Sequence, residues 1–314
     1  MALRTQVKAS PVARSALFLG QNALQAVRSL RAPEPPAAPA GAPRYGLAAM
    51  IRVKDEARFL PEWLAHHLEL GVEHVWVYDN NSTDGTAAVV APFVDQGTVT
   101  VVPWPTVPAS PASHEHFLAR FGPACTWVAF LDTDEFLHEG EPGALAATLA
   151  TTSGPGLGIN WRYYGSAGHE RIPDGLVTEL FDRADADLCH HVKVIVRPAE
   201  VYRYRNSHNF YYRRGRLART PDGRRVYGTF VTPPANPRLV INHYVYRSRE
   251  DYERKATRGF VDASGAREQA RHAGRAAAEF DRHNEAAIPV PAPALAATAA
   301  RLRQLGYGAP VVTD

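Results

Sequence analysis

The globular part of the chain begins near Tyr45, where an apolar run from Gly46 to Val53 predicts a buried strand that ends in Lys54-Asp55-Glu56. Leu60, Trp63, Leu64 and Leu68 then recur at helical spacing, with Pro61 suited to the first turn and Gly71 to the exit. Val72 to Tyr78 reads as a second strand, and Ser82-Thr83-Asp84 opens another helix with N-cap chemistry. Thr98 to Pro103 and Trp127 to Leu131 are further strands. Strands alternating with helices predict an α/β fold with a doubly wound, mostly parallel sheet and helices on both faces.

The second half is less regular. Gly156–Tyr164, Val192–Val196 and Leu239–Val245 read as strands, and 202–232 as irregular β or loop. Ser248-Arg249-Glu250-Asp251 resembles a capped helix start, with helical composition continuing to about Glu285. Pro289, Pro291 and Pro293 interrupt it before a short helix over Leu295–Leu305. The expected organisation is a basic tail and Pro/Ala linker over 1–44, one domain over 45–285, and an extension over 286–314.

Three polar clusters, Lys54–Glu56, Asp79–Asp84 and Asp132–Glu135, fall at predicted strand ends, where ligands of such sheets lie. Trp127–Leu131 ends in Asp132-Thr133-Asp134, two carboxylates spaced i, i+2 that share one side if the backbone stays extended. Such a pair can hold Mn²⁺ or Mg²⁺ whose other ligands are phosphate oxygens. Asp79 could accept hydrogen bonds from a base or ribose, and Asn81 and Asp84 lie in the same turn. Asp84 could equally serve only to orient that turn. No Gly-x-Gly-x-x-Gly occurs, which disfavours nicotinamide chemistry. Lys255 and Arg258, at i, i+3 on the last long helix, could clamp a diphosphate; pairing of these cations with Glu250, Asp251 or Glu253 is the alternative.

Lys54-Asp55-Glu56-Ala57-Arg58-Phe59-Leu60-Pro61-Glu62-Trp63, Tyr78 to Asp84, Phe130 to Phe136, Tyr164 to His169, Pro173 to Glu179, Lys193 to Pro198 and Asn242-His243-Tyr244 form an ordered set. Together they resemble the glycosyltransferase family 2/family 92-like group, across roughly 46–260. The resemblance implies a GT-A fold and transfer of a sugar, with inversion, from a nucleotide donor expected to be UDP-linked, onto a glycan or other hydroxyl acceptor. It also implies a late histidine in the metal shell, with His243 the first candidate and His208 the second. Inversion needs a base for the acceptor hydroxyl. Glu179, Asp174 and His169 are the candidates; Leu176, Val177 and Leu180 would desolvate Glu179, whereas an ion pair with Arg183 is the competing account. Lys54, Glu56, Asp79, Asn81, Asp84 and Asp132 would then hold the nucleotide sugar. A sugar-nucleotide pyrophosphorylase and a non-catalytic nucleotide-sugar binding protein are the rival readings. The first lacks the glycine-rich loop it needs after the first strand, and the second has no need of both Asp132 and Asp134.

The 314 residues, 45% of them hydrophobic, suffice for one large domain, and the net charge of +3 excludes a general polycation. Arg213, Arg214, Arg216 and Arg219, interleaved with Tyr211 and Tyr212, could suggest a nucleic-acid groove; a solvated basic face is the commoner meaning, and no nucleic-acid partner is expected. Most of the thirteen histidines are expected on the surface or in the core, with His114 and His116 in a loop. Two cysteines make no disulfide framework, and no run approaches the ~20 apolar residues of a membrane span. A cytoplasmic location follows as an expectation. Leu17, Leu24, Val27 and Leu30 could line a basic helix against the inner face of the plasma membrane, or belong to a loose tail or a helix docked on the domain. The 202–230 segment is expected to act as a lid.

Overall fold

A computed structural model describes residues 42–107, 109–234, 238–258 and 280–308, with 256–258 as backbone only. The basic tail and almost all of the linker lie outside these residues, as do 259–279 of the stretch expected to be helical; its last part, 280–285, is turn and irregular chain instead of helix. Strands β1 (Tyr45–Val53), β2 (His74–Asp79), β3 (Val99–Pro103) and β4 (Cys125–Phe130) lie in the order β3-β2-β1-β4, all parallel. Val53 pairs with Asp79, Asp79 with Pro103 and Met50 with Phe130. This register brings the segments after β1, β2 and β4 out at one edge.

Beyond β4 the pairing changes. β8 (Val192–Val196) runs antiparallel to β4 and to β6 (Gly156–Tyr164). β11 (Leu239–Tyr244) is parallel to β6 and antiparallel to β5 (Glu135–Glu139). Two-residue strands β7 (Arg183–Ala184) and β12 (Ala286–Ala287) close the far side. The sheet is therefore mixed, not mostly parallel. β5 follows the acidic turn with no crossover helix between it and β4, and it pairs with β11 and not with β4.

Alternating residues divide the interior into two cores. Leu47, Ala49, Ile51 and Val53 of β1 join Trp127, Ala129 and Leu131 on one face; Ala48 and Met50 join Cys125, Val128 and Phe130 on the other. Helices α1 (Leu60–Glu69), α2 (Thr86–Asp95) and α4 (Ala144–Thr151) cover the first face, and α3 (Ala112–Arg120) the second through Phe117. Each fully buried Leu, Val or Phe contributes about 1.5–3 kcal/mol. α1 forms where the pattern predicted, with Pro61 in its first turn and Gly71 leaving it at φ +98°. Its Trp63 Nε1 donates to Glu135 O at 2.8 Å, tying the helix to β5.

The stretch expected to be irregular or a lid contains the antiparallel pair β9 (Val201–Asn206) and β10 (Asn209–Tyr212). Phe210, Tyr212, Ala218 and Val226 are buried in the second core, so much of this stretch is a packed wall. A four-residue helix, α5 (Val177–Leu180), precedes β7. Helix α6 (Arg249–Arg258) starts where its cap predicted, with Ser248 Oγ accepting from Asp251 N at 3.1 Å. Helix α7 (Ala292–Gln304) buries Leu302 in the first core, and its Arg301 meets Glu69 of α1. Both cysteines are free thiols, and among the described residues no helix is long and apolar enough to cross a membrane.

Candidate functional site

The segments after β1 and β2 are tied together by short polar bonds. Asp55, at φ +52°, accepts hydrogen bonds from the N–H groups of Thr83 (2.7 Å) and Asp84 (3.3 Å). Asp84 accepts from Ala57 N (3.0 Å), Thr86 N (2.9 Å) and the Thr86 hydroxyl, so both of its oxygens orient the turn. Asp79 Oδ1 accepts from Ser82 N at 3.0 Å, while its Oδ2 has no hydrogen-bond partner among the described residues. Asn81 is exposed in a left-handed conformation. Lys54 is half-buried at the end of β1, and Glu56 is buried with Arg247 Nη2 3.8 Å away.

After β4 the backbone does not stay extended. A turn closed by Glu135 N–H to Asp132 O (3.0 Å) carries the chain into β5, and Tyr244 N–H to Asp134 O (2.8 Å) fastens that turn to β11. The two aspartates consequently meet different partners. Asp132 Oδ1 accepts from Arg52 Nη2 at 3.2 Å and Oδ2 from Lys193 Nζ at 2.7 Å. Asp134 faces Lys255 Nζ at 3.3 Å and His243 Nε2 at 3.5 Å. This differs from the expected sharing of one ion by both aspartates: the oxygens of Asp132 are directed at cations, and only Asp134 faces the candidate histidine. Among the described residues no group of three or more His, Cys, Asp or Glu side chains could hold a metal.

Lys193 is 3% exposed and also meets Glu135 Oε2 at 2.9 Å; Glu135 is 1% exposed and accepts from Asp132 N–H at 2.9 Å. Burial opposes charge throughout this cluster. It pushes the Glu135 carboxyl up to about 7 against the pull of Lys193. At Asp132, whose side chain is 38% exposed, Lys193 and Arg52 outweigh burial and hold the carboxyl well below the usual range. At Asp134, Lys255 and His243 do the same. Burial opposes the charge of Lys193 as well, and Asp132 and Glu135 overcome it, keeping the ammonium charged.

In the sequence Arg52 belongs to no motif, and Lys193 and Glu135 stand out only as members of longer ones. Their signal was a charged residue inside, or directly at the start of, a run whose other members are buried. Such a charge requires a partner. Arg247 is likewise buried, donating to Asp251 at 2.9 Å and lying 3.4 Å from the Phe59 ring centroid. Asp251 also holds Arg254 at 2.7 Å and Lys255 at 3.8 Å, so Lys255 stands between Asp251 and Asp134. The side chain of Arg258 lies outside the described residues.

His243 arrives beside Asp134 because β11 pairs it with Glu135 on one side and Tyr163 on the other. Its ring packs 4.5 Å from Trp161, and its Nδ1 is buried with no hydrogen-bond partner among the described residues. His208 stacks in the same cluster, 4.8 Å from Trp161, its Nδ1 against Val192 O. Burial lowers it to about 3, which keeps it neutral. Other histidines are structural: His66 meets Leu137 O, and His67 meets Trp63 O and Leu137 N. His114 and His116 lie on α3 instead of in a loop, His114 packed against Phe130 and His116 bonded to the Tyr78 hydroxyl.

The candidate bases lie on the segment between β6 and β7. Glu179 and Asp174 are exposed, and His169 is half-buried, edge-on to Phe181. Among the described residues no hydrogen bond or ion pair joins any of them to Asp132 or Asp134. Exposure of Glu179 removes the desolvation expected from its apolar neighbours, and Arg183 donates instead to Asn284 O and Glu285 O. The buried carboxylate of this region is Glu62, which accepts from Val177 N, Thr178 N and the Thr178 hydroxyl.

The model of glycosyltransferase family 92 matches residues 48–255, a span that includes every element bordering this edge. The chain belongs to glycosyltransferase family 92. The name of that family describes glycosyltransferases. A family 92 protein of Ricinus communis is 30% identical over 216 residues, covering 65% of this chain and 36% of the relative. One from Oryza sativa subsp. japonica is 33% identical over 160 residues, 49% of this chain and 27% of the relative. The chain thus spans about a third of the length of the curated family 92 relatives it matches. Among solved structures, S. aureus TarS 1–349 aligns at a TM-score of 0.35 with 15% identity, covering 49% of this chain and 47% of that one. Glucosyl-3-phosphoglycerate synthase from Mycobacterium tuberculosis aligns at 0.28 with 19% identity, covering 41% and 47%.

Proposed function

We propose that this family 92 chain is a metal-dependent, inverting glycosyltransferase of GT-A type. It takes a sugar from a nucleotide-diphosphate donor, UDP-linked, and passes it to a hydroxyl of a glycan or similar acceptor. The observation that carries this reading is the setting of Asp134, which faces His243 and Lys255 at the edge where the Asp55–Asp84 turns also emerge.

The donor set fits a divalent cation. The 3.5 Å between Asp134 Oδ1 and His243 Nε2 is long for a hydrogen bond. Two ligand atoms each about 2.1 Å from a cation are about 3 Å apart at a right angle, so the pair needs little adjustment. Mg²⁺ and ions like it are bound by one or two carboxylates together with substrate phosphates and water, so two protein ligands suffice. Bound there, the ion would act as a Lewis acid on the diphosphate leaving group. Lys255 would turn its ammonium from Asp134 towards the diphosphate. Asp132, held as a carboxylate by Lys193 and Arg52, would present its exposed edge to donor hydroxyls. Asp79 Oδ2 would accept from the ribose. The base belongs among His169, Asp174 and Glu179. Their segment reaches α6 through Arg249 N–H to His169 O (3.4 Å) and Glu250 N–H to Glu170 O (3.0 Å), which supports an acceptor wall beside Lys255.

Donor hydrolysis across UDP and GDP sugars with Mn²⁺ tests the proposal, alongside UDP calorimetry with and without the ion. Asp134→Asn should reduce turnover about 100-fold or more while the protein stays folded. Unchanged turnover in that variant removes Asp134 from the mechanism, and metal-independent UDP binding without turnover favours a non-catalytic binding protein.

A further inference from the structure

We propose that the opposite edge of the sheet carries a second ligand site, a pocket for a phosphate-bearing group built from Arg214, Arg216, Arg219 and Arg225. A cavity of about 300 Å³ is bounded by these side chains and by Ser153, Gly154 and Pro155. It lies away from Asp134. Gly156 pairs with Val196, Val196 with Val128, and β4 then continues to Phe130 before the acidic turn. The residues before Gly156 therefore sit towards the amino end of β4.

Several features converge on an anion. Four guanidinium groups line one concavity, and among the described residues the one carboxylate bonded to any of them is Glu200, 2.7 Å from Arg216. The nearby acid Asp222 is occupied by Arg224 and the Thr220 hydroxyl. Arg214 and Arg225 are exposed, and neither makes a side-chain hydrogen bond or ion pair among the described residues. Like charges gathered without counter-charge repel one another, and a multivalent anion relieves that repulsion. Arg214 is also held in the left-handed region, at φ +53° and ψ +30°, a conformation a residue with a Cβ adopts only at a cost.

The floor of the pocket is built with equal specificity. Arg219 lies across Gly154, where a Cβ would come within 2.8 Å of Arg219 Cγ. Arg219 is fixed by backbone bonds to Gly156 and Gly158, and its Nη1 donates to Gly223 O at 3.1 Å. Arg216 donates to Ser153 O at 2.7 Å. Two arginines are thus anchored and two project with their donors unspent. Planar guanidinium forks match phosphate oxygens in pairs, and an excess of four cations over one carboxylate suits a doubly charged phosphate better than a single carboxylate. The phosphate could be that of a lipid headgroup or of a soluble phosphate ester.

The test uses the full chain with EDTA present and inorganic pyrophosphate as the calorimetric probe. Arg214→Gln/Arg225→Gln should weaken binding at least tenfold without moving the thermal unfolding midpoint, and wild-type affinity should fall as NaCl is raised. Arg225→Gln alone provides a second, milder variant, and Arg214→Lys/Arg225→Lys should retain an intermediate affinity. Flotation with phosphatidic acid vesicles identifies the source. Lost flotation in the Gln variant assigns a lipid phosphate; unchanged flotation with lost pyrophosphate binding assigns a soluble one. Equal pyrophosphate affinity in wild type and both Gln variants overturns the proposal.

Discussion

The two halves of the sheet satisfy their carboxylates by different means. At the carboxyl edge of the parallel half, Asp55, Asp79 and Asp84 accept hydrogen bonds from backbone N–H groups and hydroxyls. Where the antiparallel half begins, Asp132, Asp134, Glu135 and Asp251 face the side-chain cations Arg52, Lys193, Lys255 and Arg247. Amide-satisfied acids make turns of fixed shape. Cation-satisfied acids make a charged field in which an ammonium or imidazole can exchange one anionic partner for another. The first arrangement suits recognition of a nucleoside, and the second suits handling a leaving group that gains charge as it departs.

Removing a cation from the second region should have the largest effect. Lys193→Met leaves Asp132 and Glu135 without their shared partner and should cost about 3–5 kcal/mol in urea unfolding. Adding Glu135→Gln should recover part of that loss, because one of the two stranded charges disappears. A loss no greater than that of Asp84→Ala would erase the distinction between the halves.

The histidines joining α1 to β5 should give an effect of intermediate size. Burial lowers His66 to about 4, so the fold favours its neutral form. The stability this contributes is complete above the unfolded value near 6.5 and is lost as pH falls from there towards 4, reaching about 3 kcal/mol. His67 and His138 are lowered in the same direction, chiefly by burial. Unfolding free energies at pH 7, 5.5 and 4.5 should therefore decline, and decline less steeply in His66→Gln. A parallel decline in both proteins would show that acid acts elsewhere.

Asp84→Ala should have the smallest effect. Asp84 is exposed, and losing its bonds to Ala57 and Thr86 should cost about 1 kcal/mol with little dependence on salt. Its distinctive consequence should be weaker UDP binding through a loosened turn, read by calorimetry.

The same division governs what could be read from the sequence. β1, α1, β2 and β3 follow from continuous apolar runs, Pro61 and Gly71, because local pattern and final environment agree there. β5 was hidden: Glu135-Phe136-Leu137-His138-Glu139 is short, bounded by acids, and continuous with the Asp132–Asp134 motif. α3 was obscured by Pro111 and Ser113. The acidic pair and His243 stand out in the sequence, but the turn between the aspartates and the cations that meet them, Arg52 and Lys193 at Asp132, do not. Which cation meets which aspartate depends on β8 lying between β4 and β6, and on β11 between β5 and β6, pairings between segments far apart in the chain. An apolar run with one charge in it, Arg52 in β1 or Lys193 in β8, states that a partner exists without naming it.

Lys255 shows what such partner exchange achieves. One ammonium group spans two acids, Asp134 on the turn and Asp251 on its own helix. It serves as electrostatic ballast, sparing this edge a surplus of negative charge that would repel an incoming polyanion. Under the proposed reading, an inorganic cation held by Asp134 and His243 would take over that duty and leave the ammonium to face the departing polyanion, so one positive charge would recruit another to the same cargo.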